Sequence, residues 1–258
     1  VPLYVRPHAG DAAELICIGA ALERLASLLG PGLLICADSA VGHVKNLCAA
    51  DRAGLRFIVP LRAATGFAEQ FLEHVGHQAL QPLSYVSQRD RARPSGERPR
   101  YRGALRPWSV IDPETGETRD FRVLYVWSSE EAHSVSEGRE RALVKTEAGL
   151  AKIRHGLGGR YYKTVKQVQA RVAALLPPSI RELLTIRIGS RDGKPALSWR
   201  RNPEAIARMA RTDGIYALAT NLPPRVSPSQ ILRTYKAQYH VEQRHRDAKQ
   251  TLRVRPIV

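Results

Sequence analysis

The run "LLICADSAVGHVKNLCAADRAGLRFIVPL", residues 33–61, decides the fold class. Its opening, "LLICADS" (33–39), is a short apolar run that ends abruptly in the carboxylate of Asp38, the pattern of a buried central strand. "VGHVKNLCAADRAG" (41–54) reads as an amphipathic helix closed by glycine, and "LRFIVPL" (55–61) as a second buried strand. Strand, helix and strand in that order imply a right-handed crossover and a parallel pair. The core is α/β.

Upstream, "GDAAELICIGAALERLASLLG" (10–30) has Asp11 as N-cap, Glu14 three residues on, apolar residues at helical spacing and a closing Gly30, which predicts a helix. Downstream, the texture changes over 62–200. A polar, basic loop "DRARPSGERPRYRG" (90–103) precedes a hairpin over 106–128 with a D-P-E-T-G turn. Residues 129–155 and 164–176 read as helices, and 183–201 as a second hairpin around D-G-K-P. "DGIYALATN" (213–221) then returns to the buried-strand texture. The expected organisation is a core in two parts, 1–61 and 201–258, interrupted by a mixed α+β insertion over 62–200.

The chain has 258 residues and carries 40 Lys and Arg against 24 Asp and Glu, a formal charge of +16. The cations are spread along the whole chain, which fits a polyanionic partner over a broad surface, nucleic acid ahead of an anionic membrane. No apolar run reaches the roughly 18 to 20 residues that span a bilayer, and no signal peptide is visible, so a soluble cytoplasmic protein with no membrane partner is expected. Cys17, Cys36 and Cys48 lack C-x-x-C spacing and read as small buried hydrophobes in a reducing compartment. The histidines form no H-E-x-x-H pattern, and His43 reads as a solvated or satisfied helix residue.

In "SPSQILRTYKAQYHVEQRHRDAKQTLRVRPIV" (227–258), Ser227 is an N-cap, Pro228 fits the first helical position and Gln230 completes a capping box. With about 100° per residue, Tyr235, Gln238, Glu242, Arg246 and Lys249 share one stripe less than about 90° wide. Ile231, Leu232 and Tyr239 fall on or beside it, so Glu242 sits on a half-buried face and needs a partner. Its alternatives are a metal ion or an ordinary salt bridge to Arg246 or Lys249. Asp38 has two readings as well: a side chain emerging into the ligand crevice at a strand end, or a cap for the helix starting near 41.

Y-x2-Q-x3-E-x6-K, from Tyr235 through Gln238 and Glu242 to Lys249, resembles the Y-x2-R-x3-E-x6-K signature of bacterial insertion-sequence transposases with a DDE triad. Asp38 in "ICADSA", followed by a helix and "FIVPL", looks like the second aspartate of that family, and "DGIYALATN" ahead of the signature helix is similar too. The resemblance spans essentially the whole chain and implies a ribonuclease-H-like core carrying an insertion domain. It implies Asp38 and Glu242 as catalytic carboxylates and ligands of Mg²⁺ or Mn²⁺. It implies that Lys249 and Arg246 hold a DNA phosphate and that Tyr235 hydrogen-bonds one, with Gln238 where the signature has Arg. The partners would be transposon ends and target DNA, with room for a homodimer in a synaptic complex. The family's first aspartate would precede Val1, so the chain reads as the middle and late part of a transposase, inactive as an isolated fragment.

The chemistry suits the residue types. Cutting a phosphodiester and joining its 3′-hydroxyl to a new strand are in-line displacements served by two divalent ions about 3.5 to 4 Å apart. Mg²⁺ takes hard oxygen ligands, so carboxylates suffice without His or Cys. Two other classes remain open: a non-catalytic basic nucleic-acid-binding module, and a nuclease with the same core that hydrolyses without strand transfer. Trp108, Trp127 and Trp199 fall in the expected insertion, where related transposases hold a flipped base by stacking; core packing is the simpler reading of each. Asp213 reads as the acid of a D-G turn, and Tyr235 and Tyr239 can equally pack the helix on the core.

Overall fold

The computed structural model describes residues 14–238. Helix α1 (Glu14–Leu29) is followed by β1 (Leu34–Cys36), α2 (Val44–Arg52) and β2 (Arg56–Pro60). β1 and β2 are parallel, with Leu34 opposite Arg56 and Cys36 opposite Ile58, as the strand–helix–strand reading requires. β1 departs from the expected buried central strand. It is three residues long, and its Leu34 is 36% exposed. Among the described residues β1 pairs only with β2 and ends the strand order, so there it has one strand neighbour to cover it.

The sheet continues from β2 to β8 (Ile215–Thr220), β5 (Thr118–Ser128), β4 (Tyr101–Ile111) and the short β3 (Gln81–Pro82), all antiparallel to their neighbours. The fold class is α/β with a mixed sheet, six-stranded among the described residues. Strand alternation divides its apolar residues between two faces. Phe57, Val59, Phe121, Val123, Tyr125, Ala217 and Ala219 pack with Leu22 of α1, Leu47 and Cys48 of α2, and Phe71 of α3 (Phe67–His74). Ile58, Leu124, Val126 and Leu218 pack instead with Ile231 and Leu232 of α8 (Pro228–Lys236). Ile231 and Leu232 are fully buried, a contribution of roughly 1.5 to 3 kcal/mol each. The central strands are therefore apolar on both sides, which explains the continuous runs at 57–59 and 217–219.

The described residues up to Ser129, with those from Ile215 onward, form one compact unit, and Glu130–Gly214 forms another. The second contains most of α4 (Ser129–His155), then α5 (Val165–Leu175), α6 (Pro178–Arg181), the hairpin β6 (Leu184–Arg191) and β7 (Lys194–Arg201), and α7 (Pro203–Ala210). Leu143, Leu150, Ile153, Val168, Val172, Ile180 and Leu197 build its own core. The division differs from the expected insertion over 62–200. The hairpin β4–β5 belongs to the main sheet because β8 pairs with β2 along one edge and with β5 along the other. Trp108 and Trp127 consequently sit on the main sheet, and only Trp199 lies in the second unit.

Candidate functional site

Asp38 stands two residues beyond β1, exposed, on a loop of tight turns. Its carboxylate accepts the Ala40 N–H at 2.9 Å, and its main-chain carbonyl accepts the Val41 N–H at 3.3 Å. Among the described residues no cation pairs with it, although the chain carries a net charge of +16. It does not cap α2. That position belongs to His43, whose Nδ1 accepts the Lys45 N–H at 3.3 Å, so His43 is a satisfied helix cap. The loop is pinned from behind by Gly42, where a Cβ would lie 2.5 Å from the Pro60 carbonyl oxygen. Only glycine allows the loop after Asp38 to pass this close to the end of β2.

α8 starts as its local code demands. Ser227 accepts the Gln230 N–H at 3.3 Å, the Gln230 side chain accepts the Ser227 N–H at 2.9 Å, and Pro228 occupies the first turn. The loop at Ser84 anchors the helix: its N–H donates to the Ser229 hydroxyl at 3.0 Å, and its carbonyl accepts from Arg233 at 3.3 Å. On the same helix, the Thr234 carbonyl oxygen lies 4.0 Å from the sulfur of Cys36. Strand β1 and helix α8 are thus in contact. Tyr235 is half-buried against the α8 face of the sheet, and Gln238, half-buried, closes a turn onto the Tyr235 carbonyl at 3.1 Å. Glu242, Arg246, Lys249 and Tyr239 lie outside the described residues.

Lys236 stands over two tyrosine rings, 5.3 Å from Tyr216 and 5.7 Å from Tyr101, within cation–π range. A cleft of about 610 Å³ opens nearby along β3 and β4, lined by Leu83, Tyr85, Arg98, Arg100, Arg102 and Trp127 among others. Two of its arginines are engaged. Arg98 donates to the Arg91 and Arg93 carbonyls, and Arg102 to the Leu80 carbonyl at 2.8 Å. Asp38 is not part of this cleft.

Other candidates are accounted for structurally. Asp213 forms a two-pronged pair with Arg139, at 2.8 and 2.6 Å. Trp108 packs 6.2 Å from Phe121, and Trp199 carries the Arg154 guanidinium 4.7 Å above its ring. Cys36 and Cys48 are free thiols, the first half-buried and the second fully buried. Burial, and then the nearby Asp112 charge, push Cys48 up to about 11, so it stays protonated and inert. The Cys17 side chain lies outside the described set. Among the described residues, no three of His, Cys, Asp and Glu cluster as metal ligands.

Two polar centres are invisible in the sequence reading. Asp112, in the β4–β5 turn, is fully buried between Arg52 of α2 and Arg119 of β5, with the Arg119 Nε at 3.6 Å. Burial alone would push its carboxyl up. The Arg52 hydrogen bond, the Glu114 N–H and the charges of Arg52 and Arg119 outweigh that and hold it below the ordinary range. The second centre is Asn221, at the end of β8. Its carbonyl accepts the Phe57 N–H at 2.9 Å, while its amide donates to Asp51 and to the Leu55 carbonyl, both at 2.8 Å. A D-P turn facing a helix that ends in Arg, and an Asn closing a buried strand, are the only sequence signals for either.

Comparison with known proteins yields no match, whether to a protein-family model, a curated protein or a solved structure. The fold and site together define an α/β domain in which the Asp38 carboxylate, just beyond a strand, meets no cation among the described residues. Among the described residues no helix is long and apolar enough to cross a membrane.

Proposed function

We propose that the chain is the catalytic region of a DDE transposase with a ribonuclease-H-like core, using Asp38 and Glu242 to hold Mg²⁺ or Mn²⁺ for cleavage of transposon ends and strand transfer. One observation carries this reading. The Cys36 sulfur, two residues ahead of Asp38, meets the Thr234 carbonyl oxygen of α8 at 4.0 Å, eight residues ahead of Glu242 in the sequence. A shared ion requires two carboxylates from separate segments to converge, and this contact brings the two segments together.

In this reading Asp38 supplies hard oxygen donors from an exposed strand end. A divalent ion bound there would supply activation of the attacking oxygen and neutralisation of the leaving one. Arg246, Lys249 and Gln238 hold the DNA phosphates, and Tyr235, packed on the sheet face, positions the helix as much as it contacts DNA. The unit over Glu130–Gly214 is the insertion between the two carboxylates. A purely binding module explains the charge but gives no role to an exposed acid that pairs with no cation among the described residues, whereas a metal bridging it to phosphate does.

Metal binding tests the reading directly. Titration of Mn²⁺ followed by electron paramagnetic resonance is expected to show a site weakened by about tenfold or more in Asp38→Asn and in Glu242→Gln, with duplex binding largely retained. Unchanged Mn²⁺ affinity in both variants would remove the basis for the proposal.

A further inference from the structure

The hairpin of β6 and β7 has two unlike faces. Cross-strand partners Leu184 and Arg201, Ile186 and Trp199, and Ile188 and Leu197 share the inner face. Its apolar members pack into the second core, and Arg201 is neutralised by Glu140 and Glu147, with bonds of 2.9 Å to each. Pairing with two carboxylates keeps that cation structural. The outer face carries the pairs Thr185 with Arg200, Arg187 with Ser198, Gly189 with Ala196, and Arg191 with Lys194. Arg187, Arg191, Lys194 and Arg200 are all exposed. The sole acid of the hairpin is Asp192 in the turn, 3.9 Å from Arg191. Arg187, Lys194 and Arg200 have no ion-pair partner among the described residues.

Between these cations the outer face holds only Thr185, Gly189, Ala196 and Ser198. Gly189 is the informative residue. Glycine weakens a strand interior, and here the fold does not demand it. Its φ is not positive, and a Cβ built on it would meet nothing within 4 Å. A strand glycine that neither conformation nor packing requires marks a place where another molecule comes close.

We propose that the outer face of the β6–β7 ribbon docks in the major groove of duplex DNA, its four cations on phosphates and Gly189 at the closest approach. The B-form major groove is about 12 Å wide and admits a two-stranded ribbon. Eight-residue strands give a ribbon about 27 Å long, enough to follow the groove past several phosphates. Double-stranded RNA is a poorer fit, because the A-form major groove is deep and narrow. The inference extends the DNA reading above but does not rest on Asp38, Glu242 or any metal.

Two variants test it by fluorescence anisotropy on a duplex across a salt series. Replacing Arg187, Arg191, Lys194 and Arg200 together by Gln is expected to reduce the slope of log affinity against log salt by about 0.9 for each phosphate no longer neutralised, about 3.6 in all. A control with Lys145, Lys163, Lys166 and Arg171 changed to Gln removes equal charge from exposed positions of the same unit and should lose far less. Gly189→Val suits a strand better, so it should keep or raise the melting temperature while weakening binding at least tenfold. Protection of guanine N7 from methylation should appear with the wild-type chain and vanish with the ribbon variant. Equal losses in ribbon and control variants, unaltered binding by Gly189→Val, no N7 protection, or equal affinity for double-stranded RNA or anionic vesicles would each overturn the proposal. Both carboxylates persist in these variants, so the outcome is independent of the Mn²⁺ experiment.

Discussion

Replacing Asn221 by Ala removes the side chain that joins the end of β8 to the α2–β2 turn. Three hydrogen bonds disappear: one from the Phe57 N–H, one to Asp51 and one to the Leu55 carbonyl. Phe57 and Leu55 are each 1% exposed, so their main-chain groups gain no water in exchange. An orphaned buried donor costs about 1 to 3 kcal/mol, and each of the two further bonds about 1, which gives a loss of roughly 3 to 5 kcal/mol. Asn221→Asp sharpens the test. Its shape and its acceptor for Phe57 are retained, but the two donated bonds become a carboxylate facing Asp51 and a carbonyl. That variant should be at least as unstable at neutral pH and recover partly on acidification, as one carboxyl of the pair takes up a proton. The assay is urea unfolding followed by tryptophan fluorescence in a Trp199→Phe background, so that Trp108 and Trp127 report the main-sheet unit alone. A change below about 0.5 kcal/mol for Asn221→Ala, within the ordinary range of surface substitutions, would refute the assignment of Asn221 as a tie between the strands.

Gly42→Ala should destabilise by roughly 1 to 3 kcal/mol, since its methyl would lie 2.5 Å from the Pro60 carbonyl oxygen, and it should also weaken Mn²⁺ binding by shifting the Asp38 loop; thermal melting and metal titration check the two effects. Asp112, held below its ordinary value, contributes stability that is fully present above the unfolded pKa of about 3.9 and is lost as pH falls through the lower folded value. Asp112→Asn should therefore flatten the acid limb of the stability profile below about pH 4, measured by urea midpoints across pH, and an unchanged limb would contradict the burial-and-pairing account.

Several features were legible because their causes are local. The capping box at Ser227 and Gln230 needs only residues three apart, and it begins α8 where expected. The helix over Ser129–His155 and the D-G turn between β6 and β7 follow from short-range pattern as well. Asp192, at φ 53, and Gly193, at φ 74, adopt the left-handed conformations that such a hairpin turn requires. The parallel pairing of β1 with β2 was implied by the helix between them. Asp38 does not take the capping role that one reading gave it, because His43 is nearer to the first free N–H groups of α2.

The sequence by itself determined many of the elements, the α/β class and the basic charge, because propensity, capping and periodicity act over a few residues. Tertiary structure alone decided which strands meet. The pairing of Ile58 with Thr220 spans 162 residues, and no short-range signal distinguishes it from a pairing with the hairpin strands. That choice moved residues 62–129 into the main unit, left β1 at the end of the described strand order, and set Asn221 beside Phe57. It also brought Cys36 to Thr234, the contact beside the candidate site. The physical reason is that burial rewards any apolar surface equally per unit area, whereas the partner of a strand is selected only when both faces of the assembled sheet can be covered at once.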